Sequence, residues 1–600
     1  MNQNPNGKII VPYKNPTPGM MPIVGSGNLI GFSYLTKDFL RLQKEIGINI
    51  AQAAMSASGD NQVFCDVNGI TKYGDACAVF NYDDSTANAW GGLPNQRFSL
   101  DNASSVGIKV FIRFEPKNIT SLNDVKPNGP IWESIINIYD KLFQYTKIDI
   151  RNQSSLAGFW LMDEPSLSAF WGLREVRYTV LRNELRSSTS DASDPLKIPV
   201  SGSSLTISSE NVTSHPILAN LFPYLEGGTN GKFSTSQKKQ LNGVLNNYSS
   251  NKVQGWEPVN TYKDYFESYV SNLEPGLVCF DAYPFYKKSG ESIKLSPDFF
   301  RSLSFMMDQR KRKNITFWST IQGMRVRFQS KGNGQTFVTE EKPAPSEGRL
   351  RFAVFSSLAF GAQGLVYWRI TPGHDVEASD GFKTQVFDQA AISREGKKTE
   401  IADIIKNVND EVRKHQSIFL TDEENLISCD IDACVSQWPE TDGRTSTNSK
   451  DYYKNVPLRV FENDGVHSFG LLQRVNKGAN LAFGMITKKY DGSLKSLFQY
   501  LIVVNLDAEH EQEIKLSFTS KVKDETAGSA TISSSPTTPI RSTAFTTETS
   551  KVGISESNTN SNILEEKIGT IFEENLSSFA GVLKPGDWKI FRSSSFITNP

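Results

Sequence analysis

The chain has 600 residues, 38 % of them hydrophobic, with 64 basic against 65 acidic side chains and a formal net charge of -1. A chain of this length exceeds one ordinary core and implies at least two domains. The balanced charge argues against nucleic-acid or membrane-surface partners, and no run of about 18 apolar residues is present to span a membrane.

The start, Met1 to Lys8, is polar and Asn-rich rather than a signal peptide. The expectation is a secreted, periplasmic or cell-surface protein whose leader has been trimmed, with the cytoplasm as the other setting. Cysteines are sparse. Cys65 with Cys77, and Cys429 with Cys434, are close enough in sequence for local disulfides, while Cys279 sits in an apolar run. A reduced compartment fits equally well. No CxxC pair occurs and the histidines are scattered, so neither a metal site nor a cofactor is expected.

Residues 1–20 read as an extension. From 21 to 418 short apolar runs alternate with helical patterns. The first run lies near Met21 to Val24, followed by an amphipathic helix over Thr36 to Ile46 and a strand over Gly47 to Ala51. Gly107 to Phe114 predicts strand three, and Ile131 to Thr146 a helix. Strand four ends at Glu164, and a helix over Trp171 to Arg186 follows. Ile198 to Gly202 reads as strand five, and a long insertion, about Ser208 to Asn260, precedes the helix Tyr262 to Leu273. Strand six is Gly276 to Pro284, strand seven Ile315 to Gln322 and strand eight Gly364 to Arg369. Helices over Phe299 to Arg310, Gly348 to Phe360 and Glu400 to Gln416 complete the series. Eight strands alternating with helices predict a (β/α)8 TIM barrel.

Beyond about residue 419 the helices stop. Leu458 to Phe461, Ala482 to Ile486, Phe498 to Leu506, Ile514 to Phe518 and Trp588 to Arg592 predict an antiparallel β-sandwich over 419–600. Lys521 to Asn560 is Ser/Thr-rich and predicts an irregular excursion.

Polar and aromatic residues close most barrel strands: Arg113 and Glu115, Asp163 and Glu164, Asp281 and Tyr283, Trp318 and Gln322, and Trp368 with Arg369. Strand ends of one barrel meet at one mouth. Carboxylates there transfer protons and aromatic faces stack on sugars, so the expected partner is a carbohydrate. Each assignment has a plainer counterpart. Asp163-Glu164-Pro165 is also a good helix start, as is Glu115-Pro116. Trp318 and Trp368 fit ordinary barrel packing, and Asp281 fits a hydrogen-bonding role behind the reacting groups.

Three stretches carry a family resemblance: Gly158 to Pro165 (GFWLMDEP), Leu277 to Phe285 (LVCFDAYPF), and the unit from Gly348 to Trp368. With the tail Leu583 to Phe591, they make the chain resemble bacterial glycoside hydrolases of clan A with a family 42-like barrel. The resemblance implies that Glu164 is the acid/base residue. Two departures follow from it. Asp163 stands where the clan has asparagine, and Gln322 stands where strand seven supplies a glutamate nucleophile. A glutamine forms no glycosyl ester. Three explanations stay open: Asp281 or Glu115 is the second carboxylate, Glu340 or Glu341 reaches in from the next loop, or the barrel binds glycan without cutting it.

The leading expectation is a glycoside hydrolase with Glu164, Asp281 and Glu115 as catalytic carboxylates. Asp163, Arg113, Tyr283, Trp318, Gln322 and Trp368 would grip the sugar. A carbohydrate-binding protein on the same scaffold is the second reading. A metal-dependent barrel using Asp163, Glu164 and Asp281 as oxygen ligands is the third, and no histidine lies beside those strand ends to support it.

Overall fold

The computed structural model describes residues 14–26, 35–53, 64–67, 70–73, 93–113, 154–170, 173–174, 216–224, 233–243, 258–273, 275–332, 335–372, 376–377, 383–421, 426–439, 453, 456–464, 467–490, 496–526 and 576–596. Eight parallel strands close into a barrel in chain order: Ile23–Gly25, Ile50–Ala53, Lys109–Arg113, Leu156–Asp163, Ile217–Leu221, Leu277–Phe280, Thr316–Gln322 and Leu365–Trp368. The last pairs with the first in the register Ile23↔Leu365, which closes the ring. Parallel strands are covered on both faces, which is why these segments are mostly apolar.

Local chemistry sets the helix boundaries. Helix Lys37–Glu45 starts at Thr36, whose hydroxyl accepts from the Phe39 amide at 3.2 Å. It ends at Gly47, where φ of 85° suits glycine. Helices Tyr262–Leu273, Pro297–Lys313, Glu347–Ala359 and Glu400–Lys414 match their sequence patterns. The segments 131–146 and 175–186 lie outside the described residues.

The fifth strand corrects the sequence reading. It is Ile217–Leu221, paired to strand four through Trp160↔Leu218 and to strand six through Asn220↔Cys279. Ile198 to Gly202, the segment expected there, lies outside the described residues. The true strand is short and carries Asn220 in its middle, so it was submerged in the presumed insertion. That insertion also holds helix Thr235–Asn242, with a capping box at Ser234 and Gln237.

Inside the barrel, Val24, Ile50, Phe111, Ala157, Trp160, Leu218, Leu277, Cys279, Trp318 and Val366 form one buried cluster to which every strand contributes. Two residues further along five of these strands come Gln52, Asn220, Asp281, Thr320 and Trp368. The apolar plug therefore gives way to a polar layer at the carboxyl end.

Above that end lies an antiparallel six-stranded sheet. It is built from Phe285–Lys288 and Lys294–Leu295 after strand six, Arg325–Gly332 and Gln335–Lys342 after strand seven, and Val376–Glu377 and Lys383–Asp388 after strand eight. Glu340 and Glu341, expected in a loop after strand seven, lie in one of these strands, Gln335–Lys342.

The C-terminal part is a seven-stranded antiparallel sheet in the order Leu426–Val435, Leu481–Tyr490, Ser496–Asn505, Trp588–Phe596, Gln512–Asp524 and Leu472–Val475, with Leu576–Leu583 also paired to Gln512–Asp524. It bends around its own core of Phe483, Leu501, Phe518 and Phe591, giving a sandwich-like domain. Leu458 to Phe461 is no strand; it meets the sheet through a single bridge, Val435↔Val460. Lys521 to Asp524 still belongs to a strand, and the Ser/Thr-rich stretch beyond residue 526 lies outside the described residues until 576.

Neither Cys429 nor Cys434 is in a disulfide, and the two share the strand Leu426–Val435. An odd spacing on one strand puts them on opposite faces, so they cannot bridge. The side chains of Cys65 and Cys77 lie outside the described set.

The other face of this sheet packs on the barrel. Ala482, Ile486, Ile502, Val504, Trp588 and Ile590 share one buried cluster with the barrel's outer layer. Trp588 stacks on Phe355 at 4.2 Å and 7°. Its indole N–H donates to Glu411, which receives both arms of Arg351 at 2.7 and 3.1 Å; Arg351 also bonds Asp587. The Lys488 ammonium donates to the Leu420 carbonyl at 2.7 Å and to that of Ser417. Removing one member of a buried ionic set leaves its partners desolvated and unpaired. Arg351→Met is expected to cost about 3 kcal/mol of unfolding free energy, read by denaturant titration; a loss below about 1 kcal/mol would show the network to be a surface-type pairing.

Candidate active site

The acids at the mouth are placed by strands four and six. Strand four delivers Asp163 and then breaks: Glu164 has φ of 44°, a left-handed conformation unusual for a side chain of its size. The turn is held from three sides. The Glu164 amide donates to the Asn220 carbonyl at 2.7 Å, Pro165 stops the strand, and the Tyr265 hydroxyl donates to the Pro165 carbonyl at 2.6 Å. Behind it, Phe170, Tyr262 and Tyr265 form a packed aromatic wall, with Phe170 and Tyr265 centroids 5.2 Å apart. The short 3-10 turn that follows, Leu167–Ala169, starts at Ser166. Asp163 and Glu164 therefore serve the mouth rather than a helix cap.

Asn220, unforeseen in the sequence reading, joins the strands. Its amide nitrogen donates to Asp163 at 2.8 Å and to Asp281 at 2.8 Å. Its oxygen accepts from the Thr320 hydroxyl at 3.3 Å, which fixes the amide's orientation. The two carboxylate oxygens thus lie no further apart than twice one hydrogen-bond length.

Desolvation dominates the electrostatics. Burial first, then the charges of Asp281 and Asp163, push the Glu164 carboxyl up to about 8, against an opposing pull from Lys342. Burial and then Asp163 push Asp281 up to about 6, with Asn220, Lys342 and Thr320 pulling the other way. Near neutral pH Glu164 holds a proton and Asp281 is mainly ionised. That is the split acid–base chemistry requires.

Lys342, from the second hairpin strand after strand seven, is the other residue the sequence reading missed. Its ammonium lies 4.0 Å from the centroid of the Tyr283 ring and 5.9 Å from that of Trp368. Burial lowers its basicity, and Asp281, Glu164 and Glu340 counteract this.

The remaining sequence-selected residues separate clearly. Tyr283 and Trp368 lie side by side, centroids 5.5 Å apart, but one face of Tyr283 is taken by Lys342. Trp368, whose peptide bond to Arg369 is cis, is half-buried and leaves part of its ring open. Trp318 was expected on the sugar platform; it is fully buried inside the barrel, edge-on to Phe111 at 5.7 Å, and therefore packs rather than stacks. Gln322 donates both amide hydrogens to backbone, to Met324 at 2.9 Å and Pro343 at 2.6 Å, so it braces the hairpin instead of facing the mouth. Glu341 pairs with Lys287 at 3.9 Å. Arg113 closes strand three in register with Trp160, while its side chain and Glu115 lie outside the described set. Asp163, Glu164 and Asp281 do not all bring oxygens within 4.8 Å of one another as a metal-binding trio would; among the described residues Glu462, Asp464 and His467 do, exposed on the distal domain.

No family model matches the chain, and no curated protein does. Solved structures do show likeness. A catalytic mutant of a family 42 β-galactosidase from G. stearothermophilus aligns at 9 % identity and a TM-score of 0.44, over 96 % of this chain and 98 % of that one. An endo-β-1,4-mannanase from Thermotoga petrophila aligns at 11 % identity and 0.38, over 83 % and 95 %. A β-galactosidase from the psychrophilic Marinomonas ef1 aligns at 11 % and 0.35, covering 67 % of this chain and 61 % of that one, less than two thirds of its length. At such values these neighbours assign nothing to individual residues.

A carboxyl whose folded value lies above its unfolded one favours folding while protonated and opposes it once ionised. Glutamate in the unfolded chain ionises near about 4.3, so stability falls as pH climbs from there towards about 8. Glu164→Gln removes that fall. Its Tm is expected to lie close to wild type at about pH 5 and above it at about pH 9. An equal difference at both pH values would show that Glu164 ionises normally.

Proposed function

We propose that the chain is an O-glycoside hydrolase acting on an oligo- or polysaccharide. Glu164 would protonate the leaving glycosidic oxygen, and Asp281 would serve as the ionised partner, base or nucleophile. Asn220 would hold both Asp163 and Asp281 in place, with the half-buried Trp368 as the aromatic surface for the sugar. The observation that carries this reading is the gathering of carboxyls at one desolvated mouth, Asp163 and Asp281 tied together by Asn220 with Glu164 beside them, where burial and mutual repulsion raise both Glu164 and Asp281.

A second reading, a carbohydrate-binding protein that does not cut, is favoured by one observation. Strand seven ends in Gln322, whose amide is already committed to the Met324 and Pro343 carbonyls.

Turnover on a panel of aryl glycosides and polysaccharides separates the two. Glu164→Gln is expected to lower kcat by roughly 10²–10⁴-fold, and near-normal turnover would remove Glu164 from the role. Glycan affinity with no hydrolysis by wild type would favour the second reading. The pH profile of kcat/KM should be bell-shaped, rising through about 6 and falling through about 8 as macroscopic values of the coupled pair. A profile flat across that range would exclude the assignment.

A further inference from the structure

Strand seven, Thr316–Gln322, carries no carboxylate of its own to the mouth. What arrives instead is a cation. The hairpin Arg325–Gly332 and Gln335–Lys342 leaves strand seven and returns with Lys342 as its last residue. One residue on, the Pro343 carbonyl is gripped by Gln322, and the same amide grips the Met324 carbonyl at the hairpin's start. Gln322 therefore pins both feet of the loop, and the ammonium is seated between the Tyr283 face and the Trp368 ring.

We infer that Gln322 and Lys342 form one positioning device, by which strand seven supplies the mouth with a fixed positive charge facing Glu164 and Asp281. This rests on the hydrolase reading for its catalytic meaning, but its physical content does not.

The charged groups around Lys342 are few. Strand six contributes Asp281 and the Tyr283 phenol, strand four Glu164 with Asp163 behind it, and its own strand Glu340. On the neighbouring strands of the sheet, Arg325 and Arg327 are both engaged by Asp388, at 2.7 and 2.5 Å, and Glu341 by Lys287. Among the described residues the ammonium's close contacts are the Tyr283 and Trp368 rings. This charge pulls both Asp281 and Glu164 towards ionisation, and the heavier burial penalty and repulsion on Glu164 leave it the later of the two to ionise. It is a positioning role, since Lys342 acts through the acids.

The test compares wild type with Lys342→Met, Lys342→Arg and Gln322→Leu in two measurements. The first, Tm across about pH 5 to 9, needs no substrate, so it stands even if no glycan is cut. Without the cation both carboxyls ionise later. Lys342→Met should therefore lose Tm more steeply than wild type as pH rises, Lys342→Arg should restore the wild-type slope, and Gln322→Leu should move in the direction of Lys342→Met. The second is the kcat/KM profile, whose two limbs should both move up by about one pH unit in Lys342→Met. A loss of Tm that is the same at every pH, or limbs that stay in place, would reduce Lys342 to a packing residue and overturn the inference. If Lys342→Met does not fold, Lys342→Gln is read in the same way. Absence of hydrolysis in wild type, with the predicted slopes present, would count against the hydrolase and not against the device.

Discussion

Two carboxylates share one amide at the floor of the barrel mouth, and most of the site follows from their crowding. Asn220 gives one N–H to Asp163 and the other to Asp281. Its carbonyl is occupied by Thr320, so the amide cannot flip without losing all three contacts. Negative charge is thereby concentrated in a poorly hydrated place, and a third carboxyl, Glu164, is set beside it. The third acid yields: it retains its proton far above the usual glutamate range. Burial is the larger cause, and repulsion from the two neighbouring acids adds to it.

The fold supplies that burial in layers. A wholly apolar plug fills the lower barrel, so the carboxyls see no water from below. An aromatic wall of Phe170, Tyr262 and Tyr265 closes the side behind Glu164. The left-handed backbone at Glu164 is a local cost, met by contacts from strand five and helix Tyr262–Leu273. The six-stranded sheet at the mouth then adds the one element strand seven itself lacks, a countercharge.

Much of this was readable from sequence, and the failures have physical reasons. Long apolar runs such as Gly276 to Phe280 or Ile315 to Ile321 reveal barrel strands because both of their faces are buried. Strand five escaped because Pro216-Ile217-Leu218-Ala219-Asn220-Leu221 is short, and the polar residue that matters most interrupts it. Lys342 escaped because a lysine closing a Thr/Glu-rich run looks like solvated surface. Yet Asn333-Gly334 between two alternating runs is a strong hairpin signal, and it would have directed attention to what the hairpin carries. Trp318 and Trp368 could not be told apart by composition. Strand position separates them: one lies within the plug and the other a layer above it.

The lock between the domains bears on how the chain assembles. Arg351 and Asp587 are 236 positions apart, and Glu411 and Trp588 are 177 apart. Helices Glu347–Ala359 and Glu400–Lys414 pair with each other through Arg351 and Glu411, and strand Trp588–Phe596 and the residue before it complete the set with Trp588 and Asp587. A ribosome-bound chain that has already emitted every barrel residue still presents Phe355, Arg351 and Glu411 without their cover. The cover of the barrel's outer layer is therefore a long-range contact, made between segments far apart in the chain.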